Sequence, residues 1–275
     1  MICYVINYLQ IAKEGKMADK YKFLNIGFGD CTIMEIGSKV VMIDCHEGNV
    51  LEGQEDIISN LPRDKIDVLI LTHQHYDHFD GIQTLLDCSI EVSEVWICPY
   101  SRRYGDNSVE YDEWQKHNTL VSKLVENGAK LYKPTRGTGI YDKVGGVTFQ
   151  ILGPPKNINT YETRELHDAS LVLAAKKGSM TILFTGDASD WALDQVIDFY
   201  DLSKYHILHA SHHGSINGAN LDFIKTVSPN YTIVSTKSGV HENVPHATAM
   251  KRYRDNTKKA VRRTDVDGTR VFNVG

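Results

Sequence analysis

The chain has 275 residues, 41% of them apolar and 24% charged, which is ordinary for a globular protein large enough to bury a full core. A formal net charge of −5 excludes whole-protein attraction to nucleic acid or anionic membrane, and no apolar stretch approaches the ~20 residues that span a bilayer. The five cysteines (Cys3, Cys31, Cys45, Cys88, Cys98) are odd in number and lack C-x-x-C spacing, so a reducing, cytoplasmic compartment is expected rather than a disulfide framework.

Residues 1–11 are mildly apolar but carry neither a basic leader nor a small-residue cleavage site, so a signal peptide is not expected. Met17 could serve as a second start, and residues 1–20 read as an N-terminal extension to one domain spanning 21–275. Short strands are predicted at 22–26, 31–36 and 39–43, broken by Gly27, Gly29 and Gly37, with a short helix at 57–61. The buried strand Val68-Leu69-Ile70-Leu71 follows, then a His-rich turn, a helix over 81–87 and a strand over 95–98. Leu120, Leu124 and Val125 mark an amphipathic helix. A second β-rich half has strands at 147–152, 171–175, 181–184, 207–208 and 231–235, with helices near 191–199 and 221–227. A basic helix is expected from Ala247 and a last strand over 270–272. Two β-rich halves, each closed by helices, predict two packed sheets with helices outside.

The chemistry concentrates at His73-Gln74-His75-Tyr76-Asp77-His78, directly after an apolar strand. At this composition an H-x-H-x-[DE]-H pattern arises by chance in about 3 of 1,000 such chains, so a functional origin is the better reading. Imidazole and carboxylate suit borderline divalent ions, and the lack of a thiol argues against a closed structural zinc site. The cluster can hold two ions side by side, His73 and His75 on one, Asp77 and His78 on the other. Asp187 ends the run Ile182-Leu183-Phe184-Thr185-Gly186 and is placed either to bridge two ions or to cap the following helix. The pair His212-His213, after Ile207-Leu208, is a poor core motif; His212 comes first after the strand and is the expected ligand, with His213 beside it in the reaction. His167 before one strand and His246 after another gain weight from these neighbours, although a surface or capping role suits either residue alone.

These pieces together resemble the metallo-β-lactamase superfamily, and within it the hydrolase domain of ComEC-like competence (DNA-uptake) proteins and their soluble relatives. The similarity rests on the H-x-H-x-D-H turn, Gly27-Phe28-Gly29-Asp30, Val41-Met42-Ile43-Asp44, and Ser170-Leu171-Val172-Leu173 before Leu183-Phe184-Thr185-Gly186-Asp187. Ser211-His212-His213-Gly214-Ser215, Val244-Pro245-His246, Thr264-Asp265 and Gly268-Thr269 extend it in the family's order over nearly the whole chain. The resemblance implies a four-layer αβ/βα sandwich with two divalent metal ions, Zn or Mn, at its edge. Carried over by position, His73, His75, Asp77, His78, Asp187 and His212 would be ligands. His167 falls where many superfamily members have a third ligand for the first metal, whereas ComEC-like sequences often have Asn there.

Two ions bridged by Asp187 would lower the pKa of a shared water, which suits a phosphodiesterase or nuclease acting through a metal-bridging hydroxide. Asp77 would be a proton acceptor, and His213 or His246 would contact the phosphate or protonate the leaving oxygen. The expected substrate is a phosphodiester-containing small molecule or an oligonucleotide. Nucleic acid could engage Lys251 to Arg263, seven basic residues in thirteen, unless that run is a solvated helix face. Hydrolysis of an acyl bond (thioester or lactam-like) and a non-catalytic, metal-stabilised binding protein are the alternatives.

Overall fold

A computed structural model describes residues 19–137, 140–162 and 164–274. Most of the stretch read as an N-terminal extension lies outside these residues, but Asp19 and Lys20 already belong to the first strand. The first sheet contains β1 (Asp19–Phe23), β2 (Thr32–Ile36), β3 (Lys39–Ile43), β4 (Lys65–Leu71), β5 (Glu91–Ile97) and β6 (Lys130–Tyr132). The second contains β7 (Ile140–Val144), β8 (Val147–Gly153), β9 (Val172–Lys177), β10 (Met180–Phe184), β11 (Ile207–His209), β12 (Tyr231–Val234) and β13 (Ala260–Arg263). The last strand, β14 (Arg270–Val274), returns to the first sheet and pairs antiparallel with β1, so the two halves of the chain do not map one to each sheet.

Strand orders are β14-β1-β2-β3-β4-β5-β6 and β13-β12-β11-β10-β9-β8-β7. Pairing in the first sheet is antiparallel up to β3 and parallel from β3 to β6. In the second it is parallel from β13 to β10 and antiparallel from β10 to β7.

Period-2 alternation builds three apolar layers from these strands. Phe23, Met34, Val41 and Ile70 face Phe149, Leu173, Phe184 and Ile207 in the core between the sheets. The alternate residues Ile33, Val40, Met42 and Leu69 turn outward onto Phe79, Ile82, Leu85, Leu120 and Leu124. Leu183, Leu208 and Val234 do the same on the far side against Leu193, Val196, Phe223, Ile224 and Met250. Both faces of the central strands are thus covered, and this is why β4 reads as a continuous apolar run rather than an alternating one. The architecture is a four-layer αβ/βα sandwich. Full burial of each such side chain contributes about 1.5–3 kcal/mol. Cys31, Cys45 and Cys98 are buried free thiols. Among the described residues no helix is long and apolar enough to cross a membrane.

Strand ends now explain where chemistry can sit. β4, β10 and β11 are parallel-sheet strands whose carboxyl ends reach one edge of the sandwich, the usual location for ligands in open α/β sheets. β9 runs antiparallel to β10, so its amino end, preceded by His167, reaches that edge too.

Candidate metal centre

The turn after β4 is pinned from both sides by backbone hydrogen bonds. Asp30 N donates to Asp77 O at 2.9 Å and Cys45 N donates to His78 O at 2.8 Å. Gly29 permits this approach, since a Cβ there would lie 2.6 Å from the Asp77 carbonyl oxygen. Gly186 does the same for Asp187: its φ is +48°, and a Cβ would meet Ser170 Oγ at 2.5 Å and Thr72 Cβ at 2.7 Å.

His73, His75, His167 and Asp187 offer ligand atoms that lie within 4.8 Å of one another. His75 Nδ1 is 3.1 Å from His73 Nε2 and 3.2 Å from His167 Nε2, and Asp187 Oδ2 is 3.7 Å from His73 Nε2. A second group gathers on the other side of Asp187. His78 Nε2 lies 3.3 Å from Asp187 Oδ1 and 3.1 Å from His213 Nε2, which is itself 3.1 Å from Asp77 Oδ2. Asp30 also lies near His78 and His213, but on their Nδ1 side, 3.8 and 3.9 Å away. Those nitrogens are already engaged, so Asp30 backs the rings rather than sharing their Nε2 face.

Each distal nitrogen meets an acceptor, which fixes the tautomer and leaves the other lone pair facing inward. His75 Nε2–H donates to Ser108 O at 3.0 Å, His213 Nδ1–H to Ser235 O at 3.0 Å and His78 Nδ1–H to Asp44 Oδ2 at 2.9 Å. Asp44 is held in turn by Thr72 N and Thr72 Oγ1, at 2.7 and 2.8 Å. Asp187 is 2% exposed, and its Oδ1 accepts no well-formed hydrogen bond among the described residues. A buried, under-satisfied carboxylate ringed by inward-facing imidazole lone pairs suits divalent cations. Asp44→Asn should weaken metal affinity about 10- to 100-fold, the usual cost of losing an orienting carboxylate, in a calorimetric metal titration. An unchanged affinity would deny Asp44 that orienting role.

His212 is the expected late ligand, with His213 beside it; the geometry brings both near Asp187 and puts His213 on the buried side. Residues 212 and 213 are both left-handed, with φ of 51° and 50°. This turn swings the buried His213 ring onto His78 and leaves His212 at the rim, with side chain 26% exposed, Nε2 3.7 Å from Asp187 Oδ2 and Nδ1–H donating to Asn217 O at 3.1 Å. The left-handed pair is itself a mark of a constrained site. His246 is not brought to the cluster. It caps the helix Ala247–Asn256 by accepting from Thr248 N, and its own N–H donates to Gly214 O at 2.8 Å. The basic run is no single face, because it divides between that helix and β13. Lys251 pairs with Asp255, Arg262 with Asp267 and Arg263 with Asp265.

Burial pushes His73 well below the ordinary imidazole value and takes His167 down to about 3. Burial opposes charge on His78 and His213 as well. Asp187, Asp44 and Asp77 nevertheless hold His78 well above its usual value, and Asp187, Asp77 and Asp30 bring His213 up to about 9. Against its own burial, the same imidazoles keep the Asp187 carboxyl well below the carboxylate range. In metal-stripped protein the raised His213 stabilises the fold fully below its ordinary value of 6.5, and that stability is lost as pH rises to about 9. The melting temperature of chelated protein should therefore fall across that window, whereas metal-loaded protein should not follow it. A flat profile for the chelated protein would count against the protonated His213.

Residues 24–238 match the metallo-beta-lactamase superfamily. The chain belongs to that superfamily. Its fold is typically that of metal-dependent hydrolases, and the His and Asp clusters sit at the sandwich edge accordingly. The chain is 25% identical to ComE operon protein 3 of Bacillus subtilis (strain 168) over 205 residues, 74% of this chain and 24% of that protein. It thus spans about a quarter of the length of that relative. Among solved structures it is similar to CmlA, a diiron beta-hydroxylase from Streptomyces venezuelae (TM-score 0.59, 13% identity, 95% of this chain and 55% of that one). It is also similar to a diphosphatase from the PhnP family (TM-score 0.51, 11% identity, 93% of this chain and 98% of that one). These two likenesses are of fold.

Asp30 and Asp44 were quoted in the sequence only as parts of motifs, without a role. An acid at the end of a buried strand is the signal for Asp44, the same signal that marked Asp187. The carbonyls of Ser108 and Ser235 left no signal, since any residue supplies one.

Proposed function

We propose that this metallo-β-lactamase superfamily hydrolase holds two divalent ions, zinc or manganese, and cleaves a phosphodiester bond. The observation that carries the reading is Asp187, one buried carboxylate with inward-facing imidazoles on both sides. His73, His75 and His167 hold the first ion with Asp187; Asp77, His78 and His213 hold the second with it. When bound, such a pair would supply Lewis acidity and lower the pKa of water.

The chain's own groups do the rest. Asp77 is the more accessible of the two carboxylates, with its side chain 23% exposed against 3% for Asp187, so it is the one placed to accept the proton of the attacking water. His212 at the rim can meet a phosphate oxygen or give a proton to the leaving oxygen. The backbone N–H of His246 holds Gly214 next to His213, while its ring caps the following helix.

Chemistry at phosphorus is supported by the fold shared with a diphosphatase. A short substrate is supported by the local pairing of Lys251, Arg262 and Arg263, which leaves little continuous positive surface for a long strand. The test is turnover by Zn²⁺- or Mn²⁺-loaded protein on bis-p-nitrophenyl phosphate and on a thioester. Hydrolysis of the diester, lost in His73→Ala, is expected. Hydrolysis of the thioester alone would overturn the reading in favour of acyl chemistry. Replacing Lys258, Lys259, Arg262 and Arg263 by Gln should leave the small diester unaffected. A raised KM for oligonucleotides with a flatter salt dependence would bring back the strand-binding role of the basic run.

A further inference from the structure

We infer that the cleft beside the metal centre is a subsite for a planar ring of the substrate, a nucleobase, held by Tyr161, Trp191 and Asn217. The inference rests on the phosphodiester reading for the bond that is cut, and it adds what lies next to that bond. The cleft has a volume of about 450 Å³, within the ~300–1,000 Å³ range of small-ligand sites. His167 and His212 form part of its wall, so a group lying in it is next to the metal centre.

Tyr161 and Trp191 line the same cleft, with ring centroids 5.4 Å apart and planes at 71°. They remain 37% and 36% exposed, an open aromatic corner rather than a packed one. Neither ring hangs on loose backbone. The Tyr161 carbonyl accepts from Arg103 Nη1 at 3.1 Å, and Trp191 sits in the first turn of the helix Asp190–Phe199, which Ser189 caps. A flat ring can stack on one aromatic face while the other closes its edge. Asn217 completes the corner. Its carboxamide is exposed and makes no hydrogen bond among the described residues, which leaves one donor group and one acceptor for the edge of a base.

The charges in the cleft favour a neutral ring over a continuing phosphate backbone. Glu165, Asp168 and Asp190 all line it. Arg164, whose guanidinium is the one permanent cation among the lining residues, is turned away: it lies over the Tyr100 ring at 4.9 Å and donates to Asn159 Oδ1 at 3.1 Å and to Ser101 O. The metal centre takes the phosphate and the acidic, aromatic cleft takes the base.

The test uses metal-loaded protein with a dinucleoside monophosphate and its analogue carrying an abasic tetrahydrofuran in place of one nucleoside. Parent protein should cut the base-bearing ester with the lower KM. Tyr161→Ala and Trp191→Ala should each raise that KM about tenfold, the usual scale of a lost base–aromatic stack, and leave kcat and the abasic ester unchanged. Trp191→Phe should retain most of the effect. Equal kcat/KM for both esters in the parent, or equal loss on both in the variants, would overturn the subsite while leaving the phosphodiester reading intact. Quenching of Trp191 fluorescence by a free nucleoside, absent in Trp191→Phe, should also be seen in metal-stripped protein. Quenching without cleavage of any phosphodiester would uphold the subsite and remove the reading beneath it.

Discussion

Asp187→Asn should strip both metal positions and lower turnover by about a thousandfold or more, since a metal pair contributes several kcal/mol to such a reaction. On the proposed reading Asp187 is shared by both ligand groups. One oxygen lies 3.7 Å from His73 Nε2 and 3.6 Å from His213 Nε2, and the other lies 3.3 Å from His78 Nε2. An amide keeps the volume and so spares the packing around Thr72 and Ser170. It removes the buried negative charge that faces the Nε2 atoms of these rings, and it turns a donor towards their lone pairs. Metal per chain by elemental analysis and kcat on a small diester would be measured, with circular dichroism to check the fold. A folded Asn variant that kept both ions would show that Asp187 does not bridge.

The second large effect separates two neighbouring histidines. His213→Ala should empty one metal position and reduce kcat by at least about a hundredfold, whereas His212→Ala should keep the metal and lose turnover. The reason is orientation. His213 is buried, tied through Nδ1–H to Ser235 O and aimed at His78, Asp77 and Asp187. His212 is rim-exposed, with Nδ1–H on Asn217 O. Both measurements, metal content and turnover, are needed on both variants. Metal loss confined to His212→Ala would return the ligand role to His212.

The central strands and the His-rich turn were legible in the sequence because each is locally determined. A strand buried on both faces must be apolar throughout, and ligands must follow it where the backbone is still held by the sheet. Strands β6, β7 and β13 were not foreseen, and all three lie at sheet edges. Edge strands are short and are not required to be apolar, as Ala260-Val-Arg-Arg illustrates. The pairing of β14 with β1 joins residues some 250 positions apart, and no local pattern encodes that. The burial of His213 and the exposure of His212 were not legible for a related reason. Their order along the chain is visible, but the left-handed turn that reverses their exposure is set by contacts such as His212 N to Gly186 O and His246 N to Gly214 O. His246 has the residue type of a catalytic group and the position of a helix cap, and the structure gives it the cap.

The most direct test of the shared-carboxylate centre is loading of chelated protein with Mn²⁺, followed by metal counting and electron paramagnetic resonance. Two ions per chain with an exchange-coupled spectrum are expected, because one carboxylate of Asp187 faces both ligand groups. One ion per chain, or two that give the spectrum of isolated Mn²⁺, would contradict it.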